Sequence, residues 1–259
     1  MRWPVLRMLA AVAAASGVVA GFVVNVDRAA RLHEDLGVVL ANYFSLFTIV
    51  SASIAVVVLV LAAVGAKREA DGRGGGAAGG GRRRREEPSA VSIALTVVTG
   101  AFLLLGAVFN VLLRGHPPQL AIPDPPFIGF LDSWATEVLH VVVPAYLLVD
   151  LLVGPPRRRV PWWALGLMVA YPLAWTGYTM ARGELVANPD GSAPFWYPYD
   201  FLDPHGDGGW TSALTYIGVL LAGFVVLGAL LILVSRFRTG RASGRDPARR
   251  AGGSRQDRR

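Results

Sequence analysis

Six apolar runs, each close to the length of a bilayer-crossing helix, leave this chain few ways to fold. They cover about Val5–Val26, Tyr43–Ala66, Ala90–Leu113, Phe127–Val153, Trp162–Met180 and Ser212–Val234. A helix rising 1.5 Å per residue needs about 20 apolar residues to cross a hydrocarbon core. The segments between the runs alternate in charge. The N-terminal end and segments 67–89, 154–161 and 235–259 hold 21 of the 25 Lys+Arg, while the other loops hold only Arg28, Arg31, Arg114 and Arg182. Positive charge stays on the cytoplasmic side. The expectation is an all-α bundle of six transmembrane helices with both termini cytoplasmic.

With 53% hydrophobic and 17% charged residues, the chain is too apolar for an ordinary soluble domain. One bundle is read, interrupted twice. Residues 1–66 carry helices 1 and 2, and residues 90–235 carry helices 3 to 6. A Gly/Arg-rich loop at 67–89 and a basic tail at 236–259 lack the apolar surface to offset ordering entropy, so both are expected to be disordered and cytoplasmic. The first run also has the features of a secretory signal peptide, with Arg2 and Arg7 ahead of small apolar residues. It reaches Val26, well beyond the roughly 7–15 residues of a signal core, which favours a retained helix.

The absence of cysteine excludes disulfides, thiolate zinc sites and cysteine-held iron–sulfur clusters. The four histidines, His33, His116, His140 and His205, show no paired spacing on one helix, so neither a metal nor a cofactor is expected. The high pI of about 10.3 does not indicate nucleic acid. The charge lies beside helix ends, where it orients the protein and attracts anionic lipid, and it is not interleaved with aromatic side chains. Membrane lipids are the expected partners. Arginine far exceeds lysine (Lys67 alone), and Ala and Gly are abundant, which suggests a GC-rich bacterial genome and hence the bacterial cell membrane.

Ionisable side chains deep in a span are costly and usually retained for function. Away from the span ends there are two, Glu137 and His140, three residues apart and so on one face of an α-helix, which is expected to point inward. Asp132 and Asp150 lie nearer the ends, within reach of interface water. Pro144, four residues after His140, lacks the N–H that would pair with the His140 carbonyl, so a kink and a free acceptor are expected there. Thr48 lies five residues past Tyr43, about 8 Å, and His140 six past Trp134, about 9 Å, so the two can share one layer of the membrane. Ser45, Ser51 and Ser53 are alternatives at similar depth, and such hydroxyls often bond to their own helix instead. Asn110 is a candidate oxyanion donor. The 183–211 segment, rich in aromatics and proline, reads as an interfacial anchor or as a lid over a cavity mouth.

Three stretches together resemble the bacterial Pr6Pr membrane-protein family: Tyr43-Phe44-Ser45-Leu46-Phe47-Thr48-Ile49, Leu139-His140-Val141-Val142-Val143-Pro144, and Tyr197-Pro198-Tyr199-Asp200-Phe201-Leu202-Asp203. Tyr171-Pro172 and Arg182-Gly183 fit the same pattern. That family is distantly similar to the eukaryotic androgen-induced (FAR-17a-like) membrane proteins. The resemblance implies a multi-pass hydrolase of fatty acid esters, with Thr48 as nucleophile and His140 as base. Glu137, Asn110, Tyr197 and Tyr199 are then expected on the substrate side. One departure bears on the chemistry: where the family pattern tends to run Ser-Asn, this chain has Ser51-Ala52. The rival reading is a non-catalytic carrier or interaction partner in which Glu137 and His140 form a buried polar pair.

Overall fold

The computed structural model describes residues 2–71, 87–115, 122–155 and 157–244. Helices α1 (Arg2–Leu32), α2 (Leu36–Ser45), α3 (Phe47–Asp71) and α4 (Ser89–Val108) are followed by α5 (Pro126–Glu137), α6 (Val143–Val153), α7 (Ala164–Gly183) and α8 (Gly209–Gly244). A π turn at Phe109–Leu113 extends α4, and a second at Val138–Val142 joins α5 to α6. Among the described residues there is no strand.

Five helical stretches are long and apolar enough to cross a membrane: Trp3–Leu32, Phe47–Lys67, Ser89–Leu113, Pro126–Val153 and Gly209–Thr239. Large apolar side chains cover their outer faces, among them Leu9 and Val12 on α1 and Leu214, Val219 and Val226 on α8. Water would not tolerate so much contiguous apolar surface on a monomer, whereas lipid does. The chain is a multi-pass membrane protein. Helix α7 has the length of a span but is less apolar, because it carries Tyr171, Pro172, Trp175, Thr176, Tyr178 and Thr179.

Helix α1 packs along α3 and α5. Its contact face is made of small residues, Ala10, Ala11 and Ala14, which meet Ala52 and Ala55 of α3 in one buried cluster with Leu59, Phe102, Leu139 and Leu147. Lipid tails are as apolar as leucine, so burial alone does not hold such helices together. Small residues let the backbones approach and gain dispersion contacts.

Several boundaries differ from the sequence reading. The segment between the first two apolar runs is mostly helical. Helix α1 runs on to Leu32 and ends at His33, whose φ of 56° is the left-handed stop that closes many helices. Asp35 then starts α2 by accepting the Val38 N–H at 2.9 Å. The second run is not one helix, because the chain leaves helical geometry at Leu46. Helix α8 continues to Gly244, past the expected start of the tail, and residues 245–259 lie outside the described residues. Helix α3 likewise continues into the Gly/Arg-rich loop as far as Asp71, and residues 72–86 lie outside the described residues. The far end of that loop joins the core: Glu87 is buried and paired with Arg7.

That pair belongs to a buried ionic network at the arginine-rich end. Arg7 donates to both carboxylate oxygens of Asp150, at 3.0 and 3.2 Å, and also to Glu87. Arg157 donates to Asp150 at 3.0 Å and to the Thr96 hydroxyl at 3.2 Å. Asp150 does not reach interface water, since its side chain is fully buried between the two guanidiniums. The network ties α1, α4, α6 and the segments flanking α4 and α6 together. At the other end, all four arginines are engaged. Arg28 and Arg31 share Asp124, Arg114 holds Glu137, and Arg182 donates to Asn42.

Removing one member of a buried pair leaves the other charge without a partner, at a cost of about 3–5 kcal/mol. Asp150→Ala removes the carboxylate shared by two guanidiniums, leaving Arg7 with Glu87 and Arg157 with only the Thr96 hydroxyl, and should lower the unfolding free energy in detergent by about that amount. Arg31→Ala, which removes two partly exposed ion pairs, with Asp27 and Asp124, should change it little. Equal stability of Asp150→Ala and wild type would show that the network does not hold the helix ends together.

Candidate functional site

Leu46 has extended geometry (φ −61°, ψ 133°) between α2 and α3, so Thr48 lies in the first turn of α3. Neither proline nor glycine causes this break. Tertiary contacts take up the groups it frees. The Trp175 indole N–H donates to the Ser45 carbonyl at 2.9 Å, and the Ser45 hydroxyl donates to the Asn42 carbonyl at 2.7 Å. Phe47 packs between Tyr171 (ring centroids 5.2 Å apart) and Trp175 (5.1 Å), fixing the first turn of α3 against α7.

The second interruption surrounds His140. In the π turn the Val143 N–H reaches back five residues to the Val138 carbonyl. Pro144 has no N–H to offer the His140 carbonyl, and the Asn110 amide supplies one at 3.2 Å from the neighbouring helix. The close approach is possible because Gly106 lies opposite, where a Cβ would stand 3.0 Å from the His140 carbonyl oxygen. The imidazole stacks on Phe109, centroids 3.9 Å apart, at the start of the other π turn.

These two interruptions bring the Thr48 hydroxyl to 3.5 Å from Nε2 of His140. Nδ1 lies 2.9 Å from the Thr136 carbonyl, which can only accept. Nδ1 therefore carries the proton, and Nε2 faces Thr48 with a free lone pair. The serine alternatives are engaged elsewhere. Ser45 and Ser53 bond to the backbone carbonyls of Asn42 and Ile49, and Ser51 bonds to the Tyr171 hydroxyl at 2.7 Å. Of the four hydroxyls considered from sequence, only Thr48 meets the histidine.

The pair lies on the wall of a narrow cleft, with a cavity volume of about 80 Å³, between α3, α4, α7 and α8. Apolar side chains line most of it, including Leu104, Val108, Leu221 and Phe224, and Tyr199 and Phe201 close one side. Such a lining suits an apolar group with a single polar linkage near Thr48.

The other residues singled out from sequence fall in different places. Glu137 does not pair with His140 inside the bundle. It is about half exposed and receives two bonds from Arg114, at 2.7 and 3.0 Å. The reason is the π turn: with i→i+5 bonding a turn holds more residues, so a step of three no longer returns to the same face. The buried acid–histidine pair of the carrier reading is therefore not formed. Asn110 is not free to act as an oxyanion donor, since its amide N–H groups go to the Gly106 and His140 carbonyls and its oxygen accepts from Arg114. Tyr197 lies off the cleft. Its hydroxyl donates to Glu184 at 2.6 Å, and His205 lies 2.9 Å from the same oxygen. The Tyr197 bond, with His205 beside it, holds the Glu184 carboxyl below its ordinary pKa. Tyr199 does reach the site, with its hydroxyl facing Thr48. His33 is a helix stop, and His116 lies outside the described residues.

Sequence reasoning missed Phe109, Trp175 and Arg114. Arg114 was legible in principle, four residues from Asn110 on one helical face. The aromatic pair had no signal beyond being aromatic. No family model, curated protein or solved structure matches this chain.

Proposed function

We propose that this protein is an intramembrane threonine hydrolase acting on lipid esters, with Thr48 as nucleophile and His140 as general base. The observation that carries this reading is the 3.5 Å approach of the Thr48 hydroxyl to the unprotonated Nε2, at the wall of an apolar cleft. A threonine hydroxyl is a weak nucleophile until a neighbouring base accepts its proton, and such pairs are often looser without substrate. The lipid ester lies in the cleft with its carbonyl carbon at Thr48. The hydroxyl oxygen attacks, its proton passes to Nε2, and the carbonyl π pair moves onto oxygen. Collapse expels the alcohol, which takes the proton from His140. Water then attacks the acyl-threonine by the same route and releases the fatty acid. The resemblance to the Pr6Pr and androgen-induced families, noted from the sequence, supports the same assignment.

In this reading α7 is a sixth span, both termini are cytoplasmic, and the protein resides in the plasma membrane of a bacterium. The Thr48–His140 pair then lies in the outer half of the bilayer, where water can reach it. The arginine distribution supports that orientation.

Purified protein should hydrolyse a fluorogenic long-chain acyl ester. Thr48→Ala and His140→Ala should each lower turnover by about 10³-fold or more, while Ser53→Ala stays near wild type. Unchanged turnover in Thr48→Ala would reject the assignment. For topology, the absence of native cysteine allows single cysteines at Ser192 and Lys67. A membrane-impermeant maleimide should label Ser192→Cys in intact cells and Lys67→Cys only after lysis, and the reverse pattern would invert the orientation.

A further inference from the structure

Resting on the hydrolase reading, a tetrahedral intermediate at Thr48 needs donors for its oxyanion, and Asn110 is already engaged. Two features at the Leu46 break provide them. The break starts a new helix, so the first backbone N–H groups of α3 have no partner one turn back. Leu46 O takes back those of Ile49 and Val50, at 3.1 and 3.0 Å. The N–H groups of Phe47 and Thr48 precede these first bonds and have no acceptor within α3. The second feature is a side chain aimed at that turn. Tyr199 lines the same cleft as Thr48, within reach of its hydroxyl and backbone N–H.

The other polar side chains on the cleft wall are less suitable. Trp175, for one, already donates to Ser45. Tyr199 is also held in place. Its ring packs on Trp175 (centroids 6.0 Å) and stacks on Phe201 (5.2 Å, interplanar 4°). The strand of loop that carries it is pinned by the Trp196 N–H on the Gly183 carbonyl and by Tyr197 on Glu184. Gly183 is required for this, because a Cβ there would stand 2.4 Å from the Tyr197 ring.

We infer that Tyr199 and the backbone N–H of Thr48 form the oxyanion site, with the phenol as its side-chain donor. The phenol oxygen stands where the substrate carbonyl oxygen must come. On substrate entry the carbonyl takes the Thr48 N–H, and the phenol turns its O–H onto the developing negative charge. Use of the nucleophile's own N–H follows from geometry, since that group lies closest to the bond being formed. Burial raises the Tyr199 pKa, which keeps the phenol neutral and able to donate.

Ester hydrolysis by wild type, Thr48→Ala and Tyr199→Phe tests this. Phenylalanine keeps the ring stack and removes only the donor, so kcat should fall by about 10²-fold or more with KM little changed, as expected for loss of a group acting only in the transition state. Wild-type kcat in Tyr199→Phe, or a loss confined to KM, would overturn the assignment while leaving the nucleophile in place. Retained turnover in Thr48→Ala would instead remove the hydrolase reading and the oxyanion site with it. If Tyr199→Phe fails to fold, difluorotyrosine at 199 preserves shape and carries a more acidic phenol. The alkaline limb of the kcat profile should then move to lower pH, and an unmoved limb would overturn the donor role.

Discussion

Within a bilayer, every backbone N–H and C=O must find a partner inside the protein, because lipid offers none. Within its apolar runs the described chain departs from regular α-helix at Leu46, Phe109–Leu113 and Val138–Val142, and all three border one cleft. Each departure is answered locally. Trp175 covers the Ser45 carbonyl, Asn110 covers the Gly106 and His140 carbonyls, and π bonding returns the Val143 and Arg114 N–H groups. The site exists because those repairs exist. An unbroken second span would bury the Thr48 N–H in its own ladder, and an unbroken fourth would put Glu137 and His140 on one face.

The two ends of the bundle divide the work. At the arginine-rich end, Arg7, Glu87, Asp150 and Arg157 form a buried ionic network with Thr96. At the opposite end the contacts are partly exposed: Glu184 with Tyr197 and His205, and Arg114 with Glu137. In the proposed hydrolase, a substrate entering beneath Tyr199 would displace loop contacts rather than core ones. That division fits a protein that must stay assembled while one face opens to lipid.

Five of the six expected spans were legible because apolar runs of that length have few other uses. His140 was legible because a histidine at that depth is expensive, and Pro144 marked the freed carbonyl beside it. Other features were not. Nothing local to Phe44-Ser45-Leu46-Phe47 predicts a helix break, since the donor that stabilises it, Trp175, is 130 residues away. The outward turn of Glu137 follows from one extra residue in a helical turn, which a period of 3.6 hides. Arg7 reads as a topogenic charge flanking a span, yet its side chain is fully buried, because Asp150 and Glu87 approach from distant parts of the chain. Asn110 was noticed for its polarity. Its role as a support for the His140 carbonyl depends on Gly106 and on the packing of two helices against each other.

Taken together, the broken helices prepare one hydroxyl: Thr48 is held at a bare imidazole nitrogen while Ser45, Ser51 and Ser53 are engaged elsewhere. The most direct measurement is to react the purified protein with an alkyl fluorophosphonate, digest it and locate the adduct by tandem mass spectrometry. A single adduct on Thr48, absent when His140 is replaced by alanine, is the predicted result. An adduct on one of the three serines, or one on Thr48 that forms equally fast without His140, would contradict it.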